Sequence, residues 1–371
     1  MAGSAALSVE TTGIALAERS DDAELRALLR RSVMPGAVRV ALTREPNFFA
    51  ADGLAGADDV TLVSRADGRI VGMGRMSIFR LTRNGQVKHI GYLGALRITS
   101  GTRESARMLR DGYELLLRES GIGNRESGGV AGGYFTSIAT DNARARRVLE
   151  NGARFGLPTY RPLCDLVTLI APVARSGVRS EAAGERELLE FLQRESLRSQ
   201  LALSWDAARL RSLERHEMQS ADFRVVRRGG EIIAAGAVWD QRRFRQTIIS
   251  GHSGMLEKLR VPFNALQTLL RRPTLPPPGS VLAQGALLGA FVRSPDDWNT
   301  VWPVLNARAA EMGLSWLSIS RDARDPELAV LRRLTRAREY HTTLYEVQWR
   351  DGPRWPDAWD NRPFRPEVGL L

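Results

Sequence analysis

Two tyrosines of the first half, Tyr92 and Tyr134, are candidate proton-transfer residues. Each lies in an apolar run that is typical of a buried strand. A phenol can orient a substrate or move a proton when its surroundings shift its pKa. Core packing is the competing interpretation of both side chains. The sequence therefore predicts Tyr92 and Tyr134 as candidate catalytic residues.

Metal chemistry has little support in this sequence. Cys164 is the only cysteine, which excludes a disulfide framework and a cysteine-based zinc site. No two histidines stand at the spacing of paired metal ligands; the four are His89, His216, His252 and His341. We therefore expect no metal.

Strands and helices that could position these tyrosines follow from local patterns in the first half. The dipeptides Asp67-Gly68 and Asn84-Gly85 are strong hairpin signals. They join predicted strands at 59–65, 69–77 and 88–98. Further along, the pattern predicts an amphipathic helix at 103–118, a buried strand at 134–139, a helix that Asp141 or Asn142 caps, and a strand at 163–170. The tyrosines therefore belong to two strands that are each followed by a helix.

The second half repeats this order more loosely. Predicted helices span 184–198, 206–217, 296–312 and 326–333, and predicted strands span 223–227, 232–239, 245–250, 281–292, 316–320 and 343–349. All eight tryptophans lie at or after Trp205, and residues 172–184 have the small-residue composition of a linker. We predict two domains, 1–180 and 181–371, the second ending in a tail rich in proline and tryptophan.

The element order of the first half, together with Arg103 before a helix and the pair Asn142 and Ala145 at the next helix, resembles the GNAT superfamily of N-acetyltransferases. Blocks at 44–49, 91–94 and 239–241 resemble an uncharacterised bacterial group of tandem GNAT proteins. The resemblance implies an α+β fold with two GNAT-like domains in tandem. Each domain is expected to have a mixed, mostly antiparallel central sheet flanked by helices.

The resemblance also implies a cofactor site in the first domain. GNAT folds hold acyl-coenzyme A between two splayed central strands, with the diphosphate on backbone N–H groups where the following helix begins. The implied ligand is acetyl-CoA or another acyl-CoA, used as a substrate. The residues that the resemblance assigns to cofactor binding are Leu96, Ile98, Arg103, Glu104, Ser105, Ala106, Arg107, Met108 and Asn142.

Five positions depart from the family pattern. Ala106 and Met108 stand where the phosphate loop usually has small glycines. Leu149 replaces the tyrosine that protonates the departing thiolate in many relatives. Gly94 and Ala95 replace the acidic pair that often deprotonates the amine. Transfer of the acyl group would then depend largely on how the protein positions the thioester carbonyl next to the amine.

Three functions remain open at this point. The first is an acyl-CoA-dependent N-acyltransferase that acts on a small amine or amino acid in the N-terminal domain. The second, which the residues at 94, 95 and 149 favour, is a catalytically inactive GNAT-fold ligand-binding or scaffold protein. The third is a long-chain N-acyl amino acid synthase that takes its acyl group from acyl carrier protein, since an arginine excess would suit an acidic carrier.

The charge and hydropathy patterns argue against a nucleic-acid-binding protein and against a membrane-spanning protein. The net charge of +11 comes almost entirely from arginine, because lysine occurs only at Lys88 and Lys258. The arginines are spread along the chain without interleaved aromatic residues, so we expect no nucleic-acid partner. No apolar run is long enough to span a bilayer, and residues 1–16 lack a signal-peptide pattern. We therefore expect a cytoplasmic protein without a membrane span.

Overall fold

The computed structural model describes residues 13–99, 103–119, 132–174, 181–270, 274–350, 355 and 358–371, without the side chains of 103–106. The strands are β1 Gly13–Leu16, β2 Val33–Met34, β3 Val38–Thr43, β4 Asp58–Ala66, β5 Arg69–Arg83, β6 Gln86–Ile98, β7 Tyr134–Ala139, β8 Thr159–Pro172, β9 Arg224–Arg228, β10 Glu231–Trp239, β11 Gln246–His252, β12 Gln284–Val292, β13 Trp316–Asp322 and β14 Arg338–Gln348. The α-helices are α1 Asp22–Arg31, α2 Arg103–Glu119, α3 Ala143–Glu150, α4 Glu185–Ser196, α5 Ala207–Glu214, α6 Gly254–Leu269, α7 Trp298–Glu311 and α8 Glu327–Thr335.

One large sheet runs through both halves of the chain. Its eleven strands follow the order β1-β4-β5-β6-β7-β14-β8-β13-β12-β10-β9, and a small second sheet has the order β11-β3-β2. Among the described ladders only β6–β7 and β12–β13 are parallel. The predicted α+β class, with a mixed and mostly antiparallel sheet flanked by helices, is confirmed.

The two predicted hairpins form with the turn geometry that their sequences require. Asp67 and Gly68 have φ angles of 49° and 72°, and Asn84 and Gly85 have φ angles of 48° and 75°. Two successive positive φ angles are characteristic of the type I′ turn, which matches the twist of the flanking strands. These turns align β4, β5 and β6, which carry much of the candidate site.

The last strands of the two halves exchange places at the centre of the large sheet. β14, from the second half, lies between β7 and β8, and β8, from the first half, lies between β14 and β13. Their antiparallel ladder runs from Arg338↔Ile170 to Gln348↔Thr159. Each half therefore completes the sheet beside the parallel strand pair of the other half.

The small sheet makes a second connection between the halves. β11 pairs antiparallel with β3, from Gln246↔Thr43 to His252↔Val38. The pattern of residues 245–250 predicts a strand but not its partner, which lies about two hundred residues earlier in the chain. Of the described helices, none has the length and apolar composition needed to cross a bilayer.

Candidate acyl-transfer site

A wedge opens between β6 and β7, and we call it the first wedge. The two strands are parallel and pair only at Gly91↔Tyr134 and Tyr92↔Phe135. β6 then continues to Ile98 and β7 to Ala139 without further pairing between them. Residues 93–98 therefore border a gap in which a ligand could lie against strand backbone.

A β-bulge exposes backbone at the centre of the first wedge. The register between β5 and β6 shifts between Met73 and Arg75, and Ala95 has a φ of 54°. A bulge leaves one residue out of the ladder, so its backbone groups can bond a ligand instead. Ala95 is partly buried and Leu96 is 38% exposed. The predicted cofactor residues Leu96 and Ile98 thus lie on the accessible part of β6.

Two helix N-termini lie at the same edge of the sheet as the first wedge. Because β6 and β7 are parallel, the helices that follow them, α2 and α3, begin at the same end. Helix N-termini carry partial positive charge and unpaired N–H groups, which attract anions such as phosphate. The Asn142 side chain caps α3 by accepting a hydrogen bond from the Ala145 N–H at 3.1 Å. The predicted cap at Asn142 is therefore present.

The remaining predicted cofactor residues are on α2. Arg103 begins this helix, but its side chain and those of Glu104, Ser105 and Ala106 lie outside the described part of the structure. Arg107 is exposed and its Nε lies 3.6 Å from an Asp111 carboxylate oxygen. Met108 is buried. The binding role of all these residues stays a prediction.

The Tyr92 side chain lies at the point where the first wedge opens. Its hydroxyl is 3.2 Å from the Ser137 hydroxyl, which links β6 to β7 beyond their last paired residues. The ring packs at 5.1 Å from the Phe135 ring, between centroids. Burial raises the pKa of Tyr92, and the Ser137 hydrogen bond opposes that shift. The hydroxyl therefore keeps its proton at neutral pH and can act as a donor.

Tyr134 lies on the opposite face of the sheet. Its ring packs 4.5 Å from the Trp349 ring in a cluster that includes Tyr113 of α2. The ring also covers Gly91, where an added Cβ would come within 2.5 Å of it. The structure does not bring Tyr92 and Tyr134 together. Leu149, the residue at the family's tyrosine position, is buried in the same cluster as Tyr134.

A row of polar side chains crosses the sheet on the face of Tyr92, and sequence reasoning missed it. Asp59 pairs in register with Ser77, and Ser77 with Tyr92. The Ser77 hydroxyl donates to Asp59. The buried Arg75 donates to Asp52 at 2.9 Å and pairs with Asp59 at 2.8 Å. Polar residues at alternate positions of otherwise apolar strands were the available signal for this row.

A cavity of about 380 Å³ adjoins this polar row. It is lined by Ala17, Glu18, Arg19, Phe49, Asp52, Asp59 and Thr61. Arg19 stacks over the Phe49 ring at 4.6 Å and lies 3.5 Å from Asp52. The carboxylates of Asp52 and Asp59 therefore separate this cavity from the buried guanidinium of Arg75.

Two further arginines reach the same face from the small sheet. Arg44 follows β3, and its guanidinium stacks over the Phe48 ring at 4.8 Å. Arg245 precedes β11 and donates to the backbone oxygens of Gly369 and Leu371, the latter at 2.6 Å. Burial lowers the pKa of Arg44 well below its usual range, and the nearby charge of Arg245 adds to this effect.

A second wedge lies between β12 and β13, and the protein's own tail fills it. These parallel strands pair from Gln284↔Trp316 to Ala286↔Ser318 and then separate. Gly289, with a φ of 56°, forms a bulge there, and its N–H donates to the Glu367 carboxylate at 2.9 Å. The remaining void is about 10 Å³, which is room for one water molecule.

Buried ion pairs hold the tail in the second wedge. Arg365 pairs with Asp325 at 2.7 Å and with Glu327 at 2.8 Å. Arg321 crosses from β13 to donate to the Ala290 carbonyl of β12 at 2.7 Å. Burial raises the pKa of Glu367 to about 7. The tail thus occupies the place beside β12 and β13 that corresponds to the unpaired stretch of β6 in the first wedge.

Comparisons with known proteins identify the fold. No family model matches the sequence, and no curated protein matches it. A tandem GNAT protein from the clavulanic acid biosynthesis pathway is 10% identical, with a TM-score of 0.50 over 92% of this chain and 99% of that chain. N-myristoyltransferase of Saccharomyces cerevisiae, solved with bound myristoyl-CoA, is 9% identical, with a TM-score of 0.56 over 95% of this chain and 88% of that chain. The predicted tandem GNAT fold is confirmed.

Proposed function

We propose that this protein is an acyl-CoA-dependent N-acyltransferase whose active site is the first wedge, in a domain spanning residues 1–180. The observation that carries the proposal is the difference between the two wedges. In the first, β6 has no ladder partner on β7 beyond Tyr92 and residues 94–96 are partly or largely exposed, whereas the second is filled by the tail around Glu367. The second domain, residues 181–371, would then complete the sheet and shape the site for the acceptor amine without binding a cofactor.

The proposed reaction forms an amide and breaks a thioester. The acceptor nitrogen attacks the thioester carbonyl, the C–S bond breaks, and the thiolate takes up a proton while the nitrogen loses one. The bulge at Ala95 supplies unpaired backbone groups that could fix the thioester next to the amine. Such positioning can supply a large part of the rate enhancement without a strong acid or base. Tyr92, which keeps its proton, would donate a hydrogen bond at this point.

A titration of coenzyme A into the intact chain tests this proposal. We expect one site per chain with a micromolar dissociation constant, which corresponds to about 8 kcal/mol. Two equivalent sites would show that the second wedge also binds the ligand, against the proposal. Absence of binding would remove the acyl-CoA function altogether.

An inactive ligand-binding protein is the second candidate. Gly94 and Ala95 offer no titratable side chain, and Leu149 is buried in an apolar cluster. Release of free thiol should be measured with acyl-CoA donors of two to sixteen carbons and a panel of small amines and amino acids. Binding of coenzyme A without thiol release from any donor would favour the inactive protein. Release only with acyl carrier protein as donor would favour the synthase that uses that carrier.

A further inference from the structure

The helix α6 contributes no buried residue to the protein. Together with the residue after it, this helix exposes six large apolar side chains. They are Met255 (76%), Leu259 (50%), Val261 (71%), Leu266 (52%), Leu269 (80%) and Leu270 (48%). No other described helix or strand exposes more than two side chains of this kind. Because a soluble helix normally buries its apolar side, this one is expected to have a partner that covers it.

Apolar residues form one continuous row along the outer side of α6, which we call the α6 stripe. All five of its members are exposed: Met255, Leu259, Pro262, Leu266 and Leu269. Their separations alternate between four and three residues, which is the spacing of contact positions between two paired helices. A second row with the same spacing is partly buried: Leu256, Arg260, Phe263 and Gln267. The helix therefore lies on the body of the protein through the second row and presents the α6 stripe outward.

Hydrogen bonds to the following loop fix the orientation of α6. The Asn264 side chain accepts from the Leu275 N–H at 2.8 Å, and its amide group donates to the Leu275 carbonyl at 2.9 Å. Asn264 is partly buried and lies two residues from both Pro262 and Leu266, which is about half a turn around the helix. These polar contacts hold α6 from the side opposite to the stripe. The stripe thus faces outward without burial of its own side chains.

The chemistry of the α6 stripe matches a second apolar helix. None of its five residues is charged, so it has no group that would select an acidic or a basic partner. Helices that lie on a membrane surface are rich in lysine and arginine on their polar side. In α6 these residues are Lys258 and Arg260, and Arg260 belongs to the row that faces the body. A lipid surface is therefore a poorer match than another apolar protein surface.

The size of the exposed surface is sufficient for pairing with a second copy of this chain. At their observed exposures, the α6 stripe and Leu270 present roughly 600 Å² of mostly apolar surface, so two copies would bury about 1,200 Å², the lower limit for a specific interface. A two-fold dimer joins the same patch of both copies, and a patch without charges is complementary to itself. We infer that the α6 stripes of two copies pack against each other and form the centre of a dimer interface. This inference does not depend on the proposed function.

Sedimentation velocity of the intact protein over a range of concentrations tests this inference. We expect a reversible dimer at micromolar concentrations. Leu259→Lys and Leu266→Lys should each raise the dissociation constant of the dimer at least tenfold, because each places two ammonium groups in an apolar contact. Neither leucine is buried in the single chain. Both variants should therefore keep the melting temperature that the wild type has at concentrations where it is monomeric.

Thr268→Lys is the matched control. Thr268 is exposed on the same helix and lies two residues, about half a turn, from Leu266. This variant should form dimers as readily as the wild type. Hydrogen exchange of the wild type below and above the dissociation constant gives a second readout that needs no variant. The amides of residues 254–269 should exchange more slowly in the dimer.

Several outcomes would overturn the inference. A wild type that stays monomeric would do so, as would a dimer that both stripe variants leave intact. Equal exchange of residues 254–269 in monomer and dimer would show that the copies meet elsewhere, and this result decides the matter even if a variant fails to fold. A monomer that sediments with vesicles of phosphatidylcholine and phosphatidylglycerol would assign the α6 stripe to a lipid surface instead.

Discussion

The hydroxyl of Tyr92 on β6 and the hydroxyl of Ser137 on β7 lie 3.2 Å apart, just beyond the last paired residues of these strands. The contact joins the two sides of the first wedge where the backbone ladder no longer does. Since burial raises the pKa of Tyr92, the phenol stays protonated and its hydroxyl can donate to a ligand in place of Ser137.

Tyr92→Phe should therefore impair transfer more than binding. We expect the turnover number to fall by about 10²-fold, because a positioned proton donor typically contributes that much. The dissociation constant for coenzyme A should stay near the wild-type value. Steady-state kinetics together with calorimetry would measure both quantities.

Tyr113→Phe is the control for this experiment. Tyr113 is buried on the other face and shares a hydroxyl contact with Tyr160. Its replacement should lower the melting temperature and leave turnover unchanged. Equal turnover of Tyr92→Phe and wild type would show that Tyr92 is a core residue without a role in proton transfer.

Local signals in the sequence predicted the elements that form the first wedge. The Asp67-Gly68 and Asn84-Gly85 turns, the strand at 134–139 and the Asn142 cap each depend on residues close in the chain. The insertion of β14 beside β7 and the pairing of β11 with β3 depend on contacts between distant residues. No periodicity or turn signal reports such pairings, which is why the position of Arg44 and Arg245 near the polar row and that of the tail in the second wedge were not predicted.

Arg103→Ala should weaken coenzyme A binding. The resemblance assigns Arg103 to the diphosphate, and a charge-assisted contact is worth about 1.5 to 3 kcal/mol, or roughly a ten- to hundredfold change in affinity. Arg118→Ala, in the last turn of the same helix, is the matched control and should bind normally. Titrations at two salt concentrations would also show a weaker salt dependence for Arg103→Ala. Equal affinities of the two variants would remove Arg103 from the cofactor site.

Arg365→Ala should destabilise the fold. Asp325 and Glu327 are buried, and removal of Arg365 leaves them with Arg321 as the remaining guanidinium. Breaking a buried ion pair typically costs 3–5 kcal/mol of stability. Because Arg321 remains as a partner of both carboxylates, we expect a loss at the lower end of this range, about 3 kcal/mol. Arg186→Ala removes an exposed helix pair with Glu190 and should cost less than about 0.5 kcal/mol. Urea unfolding curves that give both variants the same loss would contradict the role assigned to Arg365.

Glu367 should make the stability of the protein depend on pH. Its pKa of about 7 in the folded state exceeds the ordinary value of 4.5, so the folded state binds this proton more tightly than the unfolded state. The free energy of unfolding should therefore decrease as the pH rises from about 4.5 to 7, by about 2 to 3 kcal/mol from this group. Below that range the group is protonated in both states, so it does not make the free energy of unfolding depend on pH.

Glu367→Gln tests this pH dependence because glutamine resembles the protonated acid and can still accept from the Gly289 N–H. We expect similar stabilities of variant and wild type at pH 4.5 and a more stable variant at pH 8, measured by urea unfolding. The control Glu190→Gln replaces an exposed helix glutamate and should leave the pH profile of wild type unchanged. A Glu367→Gln variant whose stability follows the wild type at every pH would show that this carboxyl group is ionised in the folded protein, and that the tail is held in the second wedge as an anion.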